Sequence, residues 1–302
     1  MSSGIYSVLV TYNPDLSRLR QVVAALVPQV GRVVIVDNGS RGAAEIGALA
    51  SEHGLRFLPL PENRGIAFAQ NAGIAQAEAD EAQFVLLMDQ DTVLQDGAIA
   101  NLIALYRSLE ADGVRVGSVG NAYRDGHDQK LNTIWRAEGR RLARRLPEPG
   151  RESHAEVDTL IASGSLIPLS VLREVGAMDA ALFIDLVDLE WCFRATAHGY
   201  RHFMSLRNIM DHTIGSGRLN LGFRTVTLHA PIRNYYLVRN SAVLAARDYI
   251  KPAWRRFFAR QLFFYILIYG TVADRNLTRL RLMLRGLWDG VRKRGGACPI
   301  SA

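Results

Sequence analysis

Two hydrophobic periods alternate along the first 120 residues. Short apolar runs at Ile5–Thr11, Val33–Asp37, Leu55–Leu60 and Phe84–Asp89 read as strands buried on both faces. Stretches with helical spacing lie between them. One runs from Asp15 to about Val27, opened by Pro14 and Asp15 and closed near Pro28; the next covers residues 41–53, and the third is the Ala-rich Gly65–Ala79. Asn38-Gly39 marks a turn after the second strand. This alternation predicts an α/β fold with a mainly parallel central sheet, helices on both faces and right-handed crossovers.

Beyond Asn121 the pattern changes. Residues 123–156 are polar and rich in Arg, Pro and Gly, and predict a mobile excursion with one short helix. Val157–Pro168 regains strand character. Asp188 to about His198 reads as a helix, and His229 to about Arg292 is mostly helical. The expected organisation is a sheet-bearing domain over 1–228, with halves at about 1–120 and 121–228, and a helical C-terminal extension over 229–302. No internal repeat is visible.

Composition narrows the class. Hydrophobic residues at 49% and charged residues at 22% exclude global disorder. Two cysteines, Cys192 and Cys298, cannot build a disulfide framework and fit a reducing compartment. The opening MSSGIYSVLV lacks the basic start of a secretory signal, so a cytoplasmic protein is expected.

Charge is unevenly placed. Residues 1–250 carry 25 basic and 27 acidic groups, whereas 251–302 carry 11 and 2, a local balance of +9. A basic tail points to an anionic partner, nucleic acid or a membrane surface. No nucleic-acid-binding motif accompanies it, so no nucleic acid is expected. Gln261–Ala273 is uncharged but far shorter than the roughly 20 residues that span a bilayer. With Arg255, Arg256 and Arg260 before it and the Arg-rich stretch Arg275–Arg294 after it, it reads as a peripheral segment on an anionic membrane surface. The competing places for it are the core and a homo-oligomer interface.

Candidate chemistry gathers at strand ends. VLLMDQDT, Val85–Thr92, ends a buried strand in two carboxylates at i and i+2, so Asp89 and Asp91 face one side. They stand at the carboxyl end of a parallel strand, where such sheets place ligands. Paired carboxylates suit Mg²⁺ or Mn²⁺, which usually also takes oxygens from a substrate phosphate. Among the large apolar residues of FIDLVDLEWCFRA, Phe183–Ala195, burial raises carboxylate pKa values, and one of Asp185, Asp188 and Glu190 could act as a general base. Asp37 could accept from a nucleobase or ribose, its other role being a turn or cap. Glu62-Asn63-Arg64-Gly65 precedes a helix and could offer N–H groups and an Arg to phosphate.

As an ordered set, these segments resemble the inverting family 2 glycosyltransferases of the GT-A fold, especially bacterial rhamnosyltransferases of cell-surface polysaccharide synthesis. The resemblance rests on TYN at 11–13, VDNGS at 36–40, ENRGIAFAQNAGI at 62–74, MDQDT at 88–92, SGSLIP at 163–168, FIDLVDLEWCFR at 183–194 and HTIGSG at 212–217. It implies a nucleotide-sugar-binding sandwich followed by the helical extension. Thr11, Tyr12, Asn13 and Asp37 would hold the donor nucleoside, and Arg64, Asn71, Asp89, Gln90 and Arg233 would also contact the donor. Asp89, Asp91 and His212 would meet a divalent metal. Asp188 aligns with the family's base, but Val187-Asp188-Leu189-Glu190 lacks the first acid of the family's E-D-x-D and ends in Glu. Asp188 and Glu190 are therefore both candidates. The implied donor is dTDP-L-rhamnose, and the implied acceptor is a glycan or lipid-linked hydroxyl at the inner face of the cytoplasmic membrane.

Other classes lack their marks. A dinucleotide-dependent dehydrogenase needs G-x-G-x-x-G after the first strand, where TYNPD stands instead. A nucleotidyltransferase would be expected to carry a Gly-rich loop with Lys there. A non-catalytic nucleotide-sugar-binding or membrane-adaptor protein on the same fold would be expected to have lost the D-x-D or the base.

Overall fold

The computed structural model describes residues 4–125, 129–212, 217–220, 225–228, 230–271 and 277–300. The first half runs β1 (Ile5–Thr11), α1 (Leu16–Leu26), β2 (Arg32–Asp37), α2 (Ala43–Glu52), β3 (Arg56–Pro59), α3 (Ile66–Ala79), β4 (Phe84–Asp89) and α4 (Ala98–Ala111). Helix α1 starts where Asp15 accepts from the Ser17 and Arg18 N–H groups at 2.8 and 3.0 Å, a standard N-cap.

The second half runs β5 (Val116–Asp125), β6 (Ile134–Glu138), β7 (Arg141–Arg145), β8 (His154–Val157), β9 (Ser165–Pro168), α5 (Leu169–Val175), α6 (Val187–Ala197) and β10 (Arg201–His212). A hairpin of β11 (Gly217–Asn220) and β12 (Thr225–Leu228) follows, then α7 (Pro231–Ala246), α8 (Pro252–Thr271) and α9 (Leu277–Val291).

Eight strands form one sheet in the order β3-β2-β1-β4-β9-β5-β10-β8. The pairs β3-β2, β2-β1, β1-β4 and β5-β10 are parallel, whereas β9 and β8 run antiparallel to their neighbours. Strands β1, β2 and β4 are buried on both faces, which is why they read as apolar runs rather than as alternation. Tyr6, Val8 and Val10 of β1 enter one core, and Ile5 and Leu9 enter the other. Helix α3 lies unusually close to the sheet: a Cβ on Gly73 would meet the Val8 side chain at 2.3 Å.

Two expectations need correction, and one strand was missed. The polar stretch 123–156 holds no helix among its described residues; it forms the end of β5, the β6–β7 hairpin and most of β8. Val157–Pro168 is not one strand, because β8 ends at Val157 and β9 begins only at Ser165. The 12-residue strand β10 went unanticipated, since RHFMSLRNIMDH interleaves Arg, Ser and Asn with its apolar positions. The C-terminal helices share the sheet's core, to which Leu244, Ile250, Trp254 and Phe258 contribute.

Candidate active site

The chain returns to β1 from both sides: β2 lies on one flank and β4 on the other. Such a switch point opens a crevice beyond the strand ends. The register sets Val10 beside Asp89 and Thr11 beside Asp37. Gln90 ties the two strand ends together, accepting from the Tyr12 N–H at 2.7 Å and donating to its carbonyl at 3.3 Å.

The crevice holds a cavity of about 450 Å³. Tyr12, Asn38, Asn63, Gly65, Gln70, Asp89, Gln90, Asp91, Phe183, Asp185, Asp188 and Arg233 are among its walls. Four carboxylates thus face one guanidinium, that of Arg233, which is bound to Asp185. Burial, and then the charges of Asp91 and Asp188, push the Asp89 carboxyl up to about 7. Burial also lifts Asp188, to about 6, against the pull of the Leu189 and Ala162 N–H groups that bond its oxygens at 2.9 and 3.1 Å.

A strained loop delivers Asp185 and Asp188. Phe183, Asp185 and Leu186 all have positive φ (63°, 66° and 63°), a costly conformation for side-chain-bearing residues. Neighbouring elements hold it in place. The Asn240 amide of α7 donates to the carbonyls of Leu182, Ile184 and Asp185 at 3.0, 2.8 and 2.7 Å. Arg239 donates to the carbonyls of Ala181 and Leu182, and Phe183 stacks on Tyr236 with ring centroids 5.0 Å apart. On the opposite side stands Gly65, at φ +85°, where a Cβ would lie 2.5 Å from the Phe183 carbonyl oxygen.

Of the residues singled out from sequence, Tyr12, Asp89, Gln90, Asp91, Asp188 and Arg233 meet at this cavity. Others do not line it. Thr11 and Asp37 are fully buried and bonded to each other at 2.9 Å, and Asp37 also accepts from the Ser40 N–H, so they lock the strand ends. Asn13 stabilises the same turn by accepting from the Arg41 N–H at 3.0 Å. Asn71 exchanges two 2.8 Å hydrogen bonds with the Met178 backbone, which occupies its amide. The exposed Arg64 guanidinium stacks on Phe68 at 3.6 Å. Glu190 is wholly buried, paired with Arg194 at 3.0 Å and Arg247 at 2.6 Å, and it accepts from the Tyr249 hydroxyl. A carboxylate so enclosed is committed to bonds within the fold, and it does not line the cavity. His212 closes β10, but its side chain, and residues 213–216 of HTIGSG, lie outside the described residues.

The cavity also contains Gln70, which sequence reasoning passed over. Gln70 is 3% exposed, and its side-chain oxygen has no hydrogen-bond partner. A Gln within the Ala-rich face of α3 was the available signal. Asn38 and Asn63 pin Arg64 and Gly65 to the end of β2 through bonds of 2.9–3.0 Å.

Among the described residues, no cluster of three His, Cys, Asp or Glu could hold a metal by itself. The repulsion that raises Asp89 nevertheless fits a cation that draws its other ligands from a bound anion.

A mainly parallel sheet with an acidic crevice at its switch point is an α/β architecture that places ligands at its strand ends, and sequence comparison names the family. The model for glycosyl transferase family 2 matches residues 7–175, more than half of the chain, and the chain belongs to that family. It is 30% identical over 250 residues to the dTDP-rhamnosyl transferase RfbF of Shigella flexneri, covering 83% of this chain and 82% of that protein. A poly-β-1,6-N-acetyl-D-glucosamine synthase of Staphylococcus epidermidis is 26% identical over 192 residues, and this match spans 45% of the synthase.

Two solved structures share the fold at low identity. S. aureus TarS 1-349 in complex with UDP-GlcNAc has a TM-score of 0.57 at 16% identity, over 95% of this chain and 80% of that one. GalNAc-T7 with UDP, GalNAc and Mn2+ has a TM-score of 0.58 at 13% identity, over 96% and 56% respectively. The chain is a glycosyltransferase of the GT-A fold.

Proposed function

We propose that the chain is an inverting rhamnosyltransferase that moves L-rhamnose from dTDP-L-rhamnose to a hydroxyl of a glycan or lipid-linked acceptor in bacterial surface polysaccharide synthesis. The observation that carries this reading is the extended similarity to a dTDP-rhamnosyl transferase. The crevice chemistry agrees with it. Asp188 is the half-buried carboxylate placed to take the acceptor proton, and a pKa near 6 leaves it mostly ionised at neutral pH. The acceptor oxygen then attacks the anomeric carbon from the face opposite the leaving diphosphate, which inverts the configuration in one displacement. Tyr12 and Asn38 flank the nucleoside, and Gln70 offers its unpaired oxygen to a donor hydroxyl. Arg233 faces the diphosphate.

An anionic donor entering a crevice of four carboxylates needs counter-charge. Asp89 and Asp91 would hold Mg²⁺ or Mn²⁺ there, and such an ion supplies charge stabilisation to the leaving diphosphate.

We also infer peripheral attachment at the inner face of the cytoplasmic membrane. No described helix is long and apolar enough to cross a bilayer. On α9, Leu277, Leu284, Trp288 and Val291 are exposed and spaced along one face, with Arg281 and Arg292 beside them. Phe263 and Leu267 of α8 are also exposed. Arg279 faces the other way, buried and bonded to Asn234, and Arg285 pairs with Asp289 at 2.8 Å. Arg275 lies outside the described residues.

The donor assignment is tested by offering purified enzyme dTDP-L-rhamnose, UDP-GlcNAc and UDP-GalNAc separately and following nucleotide diphosphate release with a membrane-extract acceptor. Selective release from dTDP-L-rhamnose is expected. Release from the UDP-sugars alone would refute the rhamnosyl assignment.

A further inference from the structure

A second opening, of about 1090 Å³, lies between the β6–β7 hairpin and α8. Arg140, Arg141 and Arg144 line it from the hairpin, and Arg256 and Arg260 from the helix. Among the described residues no acidic side chain lines it, and none of these five guanidiniums is ion-paired with a carboxylate. Arg256 donates to the Arg140 carbonyl. The hairpin's other arginines differ: Arg136 pairs with Glu156 at 3.2 Å, and Arg145 with Glu152 at 2.6 Å. Glu138 stands opposite Arg141 in the hairpin register but does not line the cleft. Guanidiniums gathered without counter-charge attract an anion, and their planar donor pairs match phosphate oxygens.

A third cavity links this cleft to the active site, sharing one wall residue with each. Ile161 lines both the carboxylate cavity and a smaller one of about 210 Å³, and Trp135 lines that smaller cavity and the arginine cleft. Asn121 stands in the intermediate cavity, 3% exposed, with neither its amide nitrogen nor its oxygen bonded within the protein. A buried amide left unpaired is costly, and a passing polyol would pair it.

We propose that the arginine cleft binds the phosphate or diphosphate through which the acceptor is attached to its lipid carrier, with the acceptor glycan running past Asn121 toward Asp188. The proposal rests on the glycosyltransferase reading. Phe257 and Phe264, beside the arginines, give the first carbons of the carrier an apolar wall.

Titration calorimetry with decyl diphosphate tests it directly, without requiring turnover. The wild type should bind, and Arg141→Ala/Arg144→Ala should weaken binding about tenfold or more, because a charge-assisted hydrogen bond is worth roughly that factor. Asp89→Asn/Asp91→Asn, which alters the donor crevice, should leave the affinity unchanged. Flotation with phosphatidylglycerol vesicles should also be unaffected by the hairpin double variant, separating the acceptor's phosphate from bulk headgroups. Unchanged decyl diphosphate affinity in the hairpin variant would overturn the proposal. So would loss of binding in the crevice variant, or loss of vesicle binding in the hairpin variant. If dTDP-L-rhamnose supports no transfer while decyl diphosphate still binds at the hairpin, the rhamnosyltransferase assignment fails and the anion site stands.

Discussion

At the first turn of α6, Asp188 faces the cavity, whereas Glu190, two residues on, lies under Arg194, Arg247 and Tyr249. Their substitutions should separate chemistry from stability. Asp188→Asn should lower kcat by about 10²–10⁴ with little change in donor affinity. Glu190→Gln should instead cost about 1.5–3 kcal/mol of stability, because the buried Glu190 loses its charge-assisted bonds to Arg194 and Arg247. Kinetics and thermal melts on both variants check this, and a fully active Asp188→Asn would remove the base assignment.

Two pH effects follow from the same crevice. Below about pH 6 Asp188 takes up a proton, so kcat/KM should fall as pH drops through that value. Asp89, held near 7 by burial and neighbouring charge, must lose its proton to accept a cation. Mn²⁺ should therefore bind more tightly at pH 7.5 than at pH 6.0, and a pH-independent affinity by calorimetry would speak against Asp89 as a ligand.

At the level of elements, the site depends on α7 as much as on the strands. The loop Phe183–Leu186 sits in a strained conformation because Asn240 bonds the carbonyls of Leu182, Ile184 and Asp185, Arg239 bonds those of Ala181 and Leu182 just before it, and Gly65 leaves room for its backbone. Asn240→Ala removes three of those bonds and should release the loop, lowering kcat more than donor affinity. Gly65→Ala forces a Cβ into the Phe183 carbonyl at a positive φ and should destabilise the fold by about 1–3 kcal/mol. Steady-state kinetics and melting curves decide both. Normal kcat in Asn240→Ala would show that the loop holds its shape without α7.

For the whole molecule, the distribution of charge and exposed apolar surface sets the expected position. The stripe Leu277, Leu284, Trp288 and Val291 borders exposed Arg281, Arg292 and Lys293. Each basic group near an anionic bilayer contributes on the order of 1 kcal/mol, screened by salt. Flotation with anionic vesicles should therefore show binding that weakens with salt and is reduced by R281E/R292E. Absence of binding at low salt would refute membrane docking. Arg279→Glu is the contrasting variant: it should unfold α9 from α7, because that guanidinium is buried against Asn234.

The sequence alone determined the parallel half of the sheet, since strands buried on both faces must be apolar throughout and longer, more polar stretches separate them, the first opened by the Asp15 cap. It also placed Asp89 and Asp91, because a D-x-D closing a buried strand can face only outward from the strand's end. Tertiary structure decided the rest. Asp188 and Glu190 are equivalent as letters, and only the packing of α6 against Arg247 and Tyr249 gives one to the cavity and the other to the core. Asp37, Asn13 and Asn71 are polar residues at plausible positions whose hydrogen bonds are taken by neighbours remote in sequence. The β6–β7 hairpin and β10 escaped notice because their arginines and polar residues carry no strand period, and only pairing in the fold makes them strands. Long-range contact, which no local pattern encodes, chose among side chains that the pattern left equal.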